Sequence, residues 1–111
     1  MDFGSYQKEA MRTKGSYSGW FDELVNGIMG LNGESGEAID IVKKTLYQGH
    51  AFDRDSLIKE LGDVLWYIAL CADALGIGLE DIAEENKAKL RKRYPVSFSY
   101  EDSVNREVAN E

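Results

Sequence analysis

Proline, cysteine and histidine each occur once in the 111 residues, and each scarcity removes a class of answer. The lone cysteine, Cys71, can form no internal disulfide, and no Cys/His cluster with zinc spacing exists. Cys71 lies in an apolar stretch and reads as a small core residue. Alternating apolar–polar runs are missing too, which leaves little signal for strands. The N-terminal "MDFGSYQKEAMR" lacks the apolar region of a signal peptide. The apolar run Val64–Leu79 is short for a bilayer span and contains Asp73. A reducing, cytoplasmic setting without a membrane partner is therefore expected. Basic residues are in deficit, and the formal net charge is −7. A chain of that sign gains nothing from general attraction to nucleic acid or an anionic membrane. A small phosphorylated ligand stays open where metal ions mediate the contact.

What is present is apolar periodicity of helical type. The length suits one domain over residues 1–111, with a helical core at about 20–95 and an arm at 96–111. A chain this size buries only about two thirds of its unfolded surface, so self-association would help it. Four helices are predicted: Phe3–Thr13, Trp20–Tyr47, Ser56–Leu75 and Leu79–Tyr94. In the second, Leu24, Ile28, Leu31, Ala38, Ile41, Val42 and Leu46 recur at three and four. Gly27, Gly30, Gly33 and Gly36 interrupt it, each costing up to about 1 kcal/mol against alanine. A break or kink near Gly30–Gly36 is expected, or the close approach of another backbone. Asp53 or Asp55 suits the N-cap of the third helix, and Gly76 its C-terminal stop. The fold class is all-α, a four-helix bundle.

Two pairs of acids stand out against this apolar background. Glu60 and Asp63 lie three apart in "KELGDVLWYIALCADALG", so they share one helix face, and Tyr67 continues that row. Glu34 and Glu37 repeat the spacing in "GESGEAIDIVKK", with Lys44 seven beyond Glu37 on the same face. The 22 residues between Glu37 and Glu60 let the chain finish one helix, turn and return antiparallel. The pairs then face each other across a groove. Four carboxylates gathered there repel unless water, protons or cations offset them. Oxygen-only ligands suit hard cations, chiefly Mg²⁺, with Mn²⁺ as a substitute. Taken alone, Glu34 and Glu37 read as a solvated helix face. The apolar surroundings of Glu60 and Asp63 weaken that explanation, and two matched pairs favour metal. On the fourth helix, Asn86, Lys89 and Arg93 share one face in "ENKAKLRKRYP". By themselves they read as a basic helix end that complements the dipole. Beside a metal groove, an amide and two cations suit a polyphosphate.

With E-x-x-E at Glu34 and Glu37 and E-x-x-D at Glu60 and Asp63, the sequence resembles the MazG-like nucleotide pyrophosphohydrolases of the all-α NTP pyrophosphatase superfamily. The likeness runs from about Leu31 to Pro95 through "GLNGESGEAIDIVKK", "ELGDVLWYIA" and "IAEENKAKLRKRYP". It implies that a nucleoside triphosphate is cut between its α- and β-phosphates to give a monophosphate and pyrophosphate. Glu34, Glu37, Glu60 and Asp63 would be the Mg²⁺ ligands. Tyr67 and Asn86 match nucleotide-contacting positions, and Lys89 and Arg93 would hold phosphates. Members commonly form homodimers or homotetramers, with sites near subunit interfaces. The cation would screen the triphosphate and acidify an attacking water. Glu37 is the preferred glutamate to orient or deprotonate that water.

Other residues carry less. Trp20 follows a Gly/Ser loop and is the better candidate for an exposed platform that stacks on a base; Trp66 suits the core or an interface. His50 reads as surface, within reach of phosphate. Gln7 and Arg12 read as exposed. A ferritin-like di-iron site needs Glu-x-x-His motifs, and Tyr47 stands three before His50. A non-catalytic nucleotide-sensing module and a phosphoribosyl-ATP pyrophosphohydrolase are the competing readings.

Overall fold

The computed structural model describes residues 1–105. Five helices follow one another: α1 Phe3–Met11, α2 Trp20–Tyr47, α3 Arg54–Ala74, α4 Leu79–Arg93 and α5 Tyr100–Val104. Among the described residues there is no strand. The chain divides into two compact units, residues 1–79 and the part from Glu80 onward.

In the first unit α2 packs along α3, and α1 packs on α3. The direction of α2 against α3 follows from what meets what. Gly27 lies against Cys71, Gly30 against the Tyr67 ring, and Glu34 beside Asp63 and Glu60. Numbers rise on one helix as they fall on the other, so the pair is antiparallel. A Cβ on Gly30 would come within 2.1 Å of the Tyr67 ring, and one on Gly27 within 2.7 Å of Cys71 Sγ. The expected break at Gly30–Gly36 is therefore not found: α2 is continuous. Its glycines forfeit helix propensity, and two of them permit the close approach that holds the two helices together.

The caps follow local chemistry. Asp53 caps α3 by accepting from the Ser56 N–H at 3.1 Å, as expected. Gly76, at φ +71, closes it in the left-handed region. Asp2 and Ser5 form a capping box on α1. The first helix stops at Met11 rather than Thr13, because the Thr13 hydroxyl and N–H both donate to the Ala10 carbonyl. Gln7 is half-buried, correcting the expectation of exposure. Its amide donates to the Ile77 carbonyl at 3.2 Å and accepts from the Leu79 N–H at 2.7 Å. The Trp66 indole N–H donates to the Ala10 carbonyl and the Thr13 hydroxyl, both at 3.0 Å. These bonds clamp α1 onto the C-terminal half of α3.

In the second unit, α4 carries Glu80 and Asp81 in its first turn and Arg91, Lys92 and Arg93 in its last, matching the helix dipole. Short α5 is capped by Ser99, whose hydroxyl accepts from the Asp102 N–H. It lies in the segment read from sequence as an arm; the end of that arm, residues 106–111, lies outside the described residues.

Candidate metal centre

The α2–α3 seam brings together acids that the sequence separates. Glu34, Glu60 and Asp63 each offer a carboxylate oxygen, and these oxygens lie within 4.8 Å of one another. Glu34 and Glu60 are half-buried and Asp63 is exposed. Glu37 stands outside that triad but close enough for its charge to act on Glu60. Burial, then the charges of Glu34, Asp63 and Glu37, push the Glu60 carboxyl above its usual range. Three carboxylate oxygens at this spacing, with no nitrogen or sulfur donor, fit a hard divalent cation. Burial and the neighbouring like charges both disfavour the ionised form of Glu60, and a cation held there would offset them.

A cavity of about 400 Å³ opens beside the triad. From α2 it is lined by Glu37, Asp40, Ile41 and Lys44; from the connecting turn by His50, Ala51 and Asp53; from α3 by Ser56, Lys59 and Glu60. Lys44 pairs with Asp40 at 3.1 Å, and Lys43 approaches the other oxygen of Asp40 at 3.4 Å. Those contacts, that to Lys44 above all, hold Asp40 below the usual carboxylate range. Tyr6 of α1 stands near enough for the Asp63 charge to act on its phenol, which burial and that charge raise.

The remaining expected contacts are placed as follows. Tyr67 rests its ring on Gly30, in edge contact with Trp66 at 5.0 Å between centroids. Trp20 is exposed and meets Phe21 edge-on at 5.4 Å. On α4, Asn86 and Lys89 are exposed and Arg93 is half-buried, its Nε without a partner among the described residues. Arg12 is exposed and pairs with Glu9.

Sequence reasoning missed three features. One is the cavity with Lys59 and Asp40 in its wall. Helix periodicity ranks each residue on its own helix and does not show a hollow enclosed by two helices and the turn between them. The second is Tyr6. The third is a polar cluster near the other end of the seam, where Lys14 bridges Glu23 at 3.1 Å and Asp73 at 2.5 Å. Glu23 is the buried acid among the described residues. Its hydrogen bond to Asp73, then burial, raise its pKa, and the same contact lowers Asp73. The bond to Asp73, then that to Glu23, raise Lys14. The Lys14 ammonium thus offsets the buried Glu23 and the half-buried Asp73. Asp73 inside an apolar run was the available signal for it.

No single helix among the described residues is long and apolar enough to cross a membrane. A family model described as the MazG nucleotide pyrophosphohydrolase domain matches residues 26–98. That span takes in the acids of both helices, the cavity and α4. The chain is similar to Gene 37 protein of Mycobacterium phage L5: 42% identical over 69 residues, covering 59% of this chain and 60% of that one. It is also similar to Uncharacterized protein YvdC of Bacillus subtilis (strain 168): 43% identical over 44 residues, covering 40% of this chain and 42% of that one. The chain thus spans less than two thirds of the length of both relatives. No solved structure matches it.

Proposed function

The chain belongs to the MazG nucleotide pyrophosphohydrolase family, and on that premise we propose that it hydrolyses a nucleoside triphosphate between the α- and β-phosphates. The products are a nucleoside monophosphate and pyrophosphate. The observation that carries this reading is the convergence of Glu34, Glu60 and Asp63 to within 4.8 Å. Those residues, with Glu37 beside them, would hold Mg²⁺, with Mn²⁺ as a substitute. When bound, the cation supplies charge neutralisation for the triphosphate and lowers the pKa of a nearby water.

The protein's own groups do the rest. Glu37 borders both the triad and the cavity. It orients a water towards the α-phosphorus and takes its proton. The new P–O bond forms to that water, the bond to the α,β-bridging oxygen breaks, and its electron pair leaves with pyrophosphate. Lys44, Lys89 and Arg93 are assigned to phosphate oxygens. Tyr67, Asn86 and Trp20 are assigned to the nucleoside.

A panel of triphosphates incubated with Mg²⁺, with monophosphate and pyrophosphate both quantified, tests the activity. Equal amounts of the two products are expected from at least one nucleotide. Binding without any release would replace the enzyme with a sensor. Glu37→Gln is expected to retain nucleotide binding while turnover falls by about 10²–10⁴, the range for loss of a positioned base. Unchanged turnover would remove Glu37 from the mechanism.

A second copy of the chain is the proposed partner. Along α2, Phe21, Ile28, Ile39, Val42 and Leu46 are exposed at helical spacing. Leu46 remains 67% exposed and Ile39 69%. On α3, Ile58 and Leu61 are also exposed. Large apolar side chains left exposed along α2 and at the start of α3 form the kind of surface that a second copy would cover. Sedimentation equilibrium at micromolar concentration should return a dimer or tetramer mass. A monomer mass would refute the assembly.

A further inference from the structure

The carboxylate triad separates two chemically unlike ends of the α2–α3 seam. On the Gly30 side the neighbours are aromatic, with Tyr67 lying on Gly30 and Trp66 against Tyr67. On the side of the α2–α3 turn lies the cavity, which carries Lys44, His50 and Lys59. Resting on the triphosphate reading above, we infer that the substrate lies along the seam in one direction, with its β- and γ-phosphates in this cavity. Lys59 and His50 hold the pyrophosphate as it departs.

Glu60 belongs to the triad and also lines the cavity, and Glu37 lines it as well. A triphosphate with its α-phosphate at the triad therefore reaches the cavity along its own length. The volume, about 400 Å³, accommodates a hydrated pyrophosphate.

Lys44 shares its ammonium with Asp40 at 3.1 Å, so a phosphate contact there is made with a partly neutralised cation. Lys59 is exposed, and the acid it acts on, Asp53, already accepts from the Ser56 N–H and hydroxyl. Lys59 thus retains donors for an anion. The backbone places His50. Gly49 takes φ +74, a conformation strained for other residues, and the Gln48 and His50 N–H groups both donate to the Lys44 carbonyl. That fold-back brings His50 to the cavity wall.

Charge sets a condition on this binding. Glu37, Asp40, Asp53 and Glu60 also face the cavity, so pyrophosphate alone is repelled. Binding is expected only when a divalent cation offsets the acids.

Calorimetric titration of inorganic pyrophosphate into the full chain, with Mg²⁺ present, tests the inference. Lys59→Gln and His50→Gln should each weaken pyrophosphate by about tenfold, the scale of one charge-assisted contact, and nucleoside monophosphate by less than about twofold. Lys59→Arg should restore pyrophosphate affinity. Both positions are exposed, so a wild-type circular dichroism spectrum serves as the folding control. Wild-type pyrophosphate affinity in both variants overturns the inference, as does an equal or larger loss of monophosphate. The two readings separate through the wild-type protein. If it releases no pyrophosphate from any triphosphate, the hydrolase reading falls and takes this one with it. If it releases pyrophosphate but both variants bind that product normally, only the direction of the substrate falls.

Discussion

Glu60→Gln is expected to lower triphosphate hydrolysis by about two to three orders of magnitude, the scale of losing one preorganised electrostatic contact. The same change should raise the melting temperature of the metal-free protein. Both effects have one origin. Glu60 shares its space with Glu34, Asp63 and Glu37, and burial together with their charges raises its pKa. Its ionised form is thus a cost to the fold and an asset to the cation. The sign of the pH dependence follows. With the folded-state pKa above the unfolded one, the folded chain holds the proton more tightly. Stability falls as pH rises from the unfolded glutamate value through the raised folded one, and returns on acidification through the same window. Glutamine removes that slope. Melts with and without Mg²⁺ across that window check the argument. Mg²⁺ should raise the wild-type melting temperature and move that of Glu60→Gln far less. A variant that loses stability in the absence of metal, or keeps the full Mg²⁺ response, would show that the carboxylates do not act as one cluster.

Gly30→Ala is expected to lower the melting temperature by about 5–15 °C, and Gly33→Ala to leave it unchanged or raise it slightly. Alanine gains up to about 1 kcal/mol of helix propensity at either position. At Gly33 a Cβ meets nothing within 4 Å, so that gain stands. At Gly30 it would lie 2.1 Å from one Tyr67 ring atom and 2.4 Å from two others. Either the ring swings away or the helices part, and overpacking of this kind costs about 1–3 kcal/mol, occasionally more. For a chain near 100 residues each kcal/mol moves the midpoint by about 4–8 °C. Combining Gly30→Ala with Tyr67→Ala should recover part of the loss. Equal melting temperatures for Gly30→Ala and Gly33→Ala would mean that α2 and α3 do not meet at this seam, and the carboxylate convergence would lose its geometric basis.

These two predictions draw on information of different depth. The pairing of Glu60 with Asp63, and of Glu34 with Glu37, was legible because a helix repeats every 3.6 residues and the acids interrupt apolar surroundings. The Asp53 cap and the Gly76 stop were legible because capping is local chemistry. Of the two expectations for the α2 glycines, the break failed and the close approach held, with Tyr67 on Gly30 and Cys71 on Gly27; propensity alone registers what a glycine costs its own helix and not which of them admits a neighbour. Gln7 was misread for a related reason: its partners, Ile77 and Leu79, lie some seventy positions away.

The amino-acid order by itself determined that the chain is helical, that four acids fall in two face-sharing pairs, and that their motifs carry the family resemblance. Those are consequences of short-range geometry within single helices. Tertiary structure decided which acids meet. The axial offset between α2 and α3, set by Tyr67 on Gly30 and Cys71 on Gly27, draws Glu34, Glu60 and Asp63 into one triad and leaves Glu37 on the wall of the cavity. That offset belongs to neither helix alone, because it depends on how closely two backbones can approach.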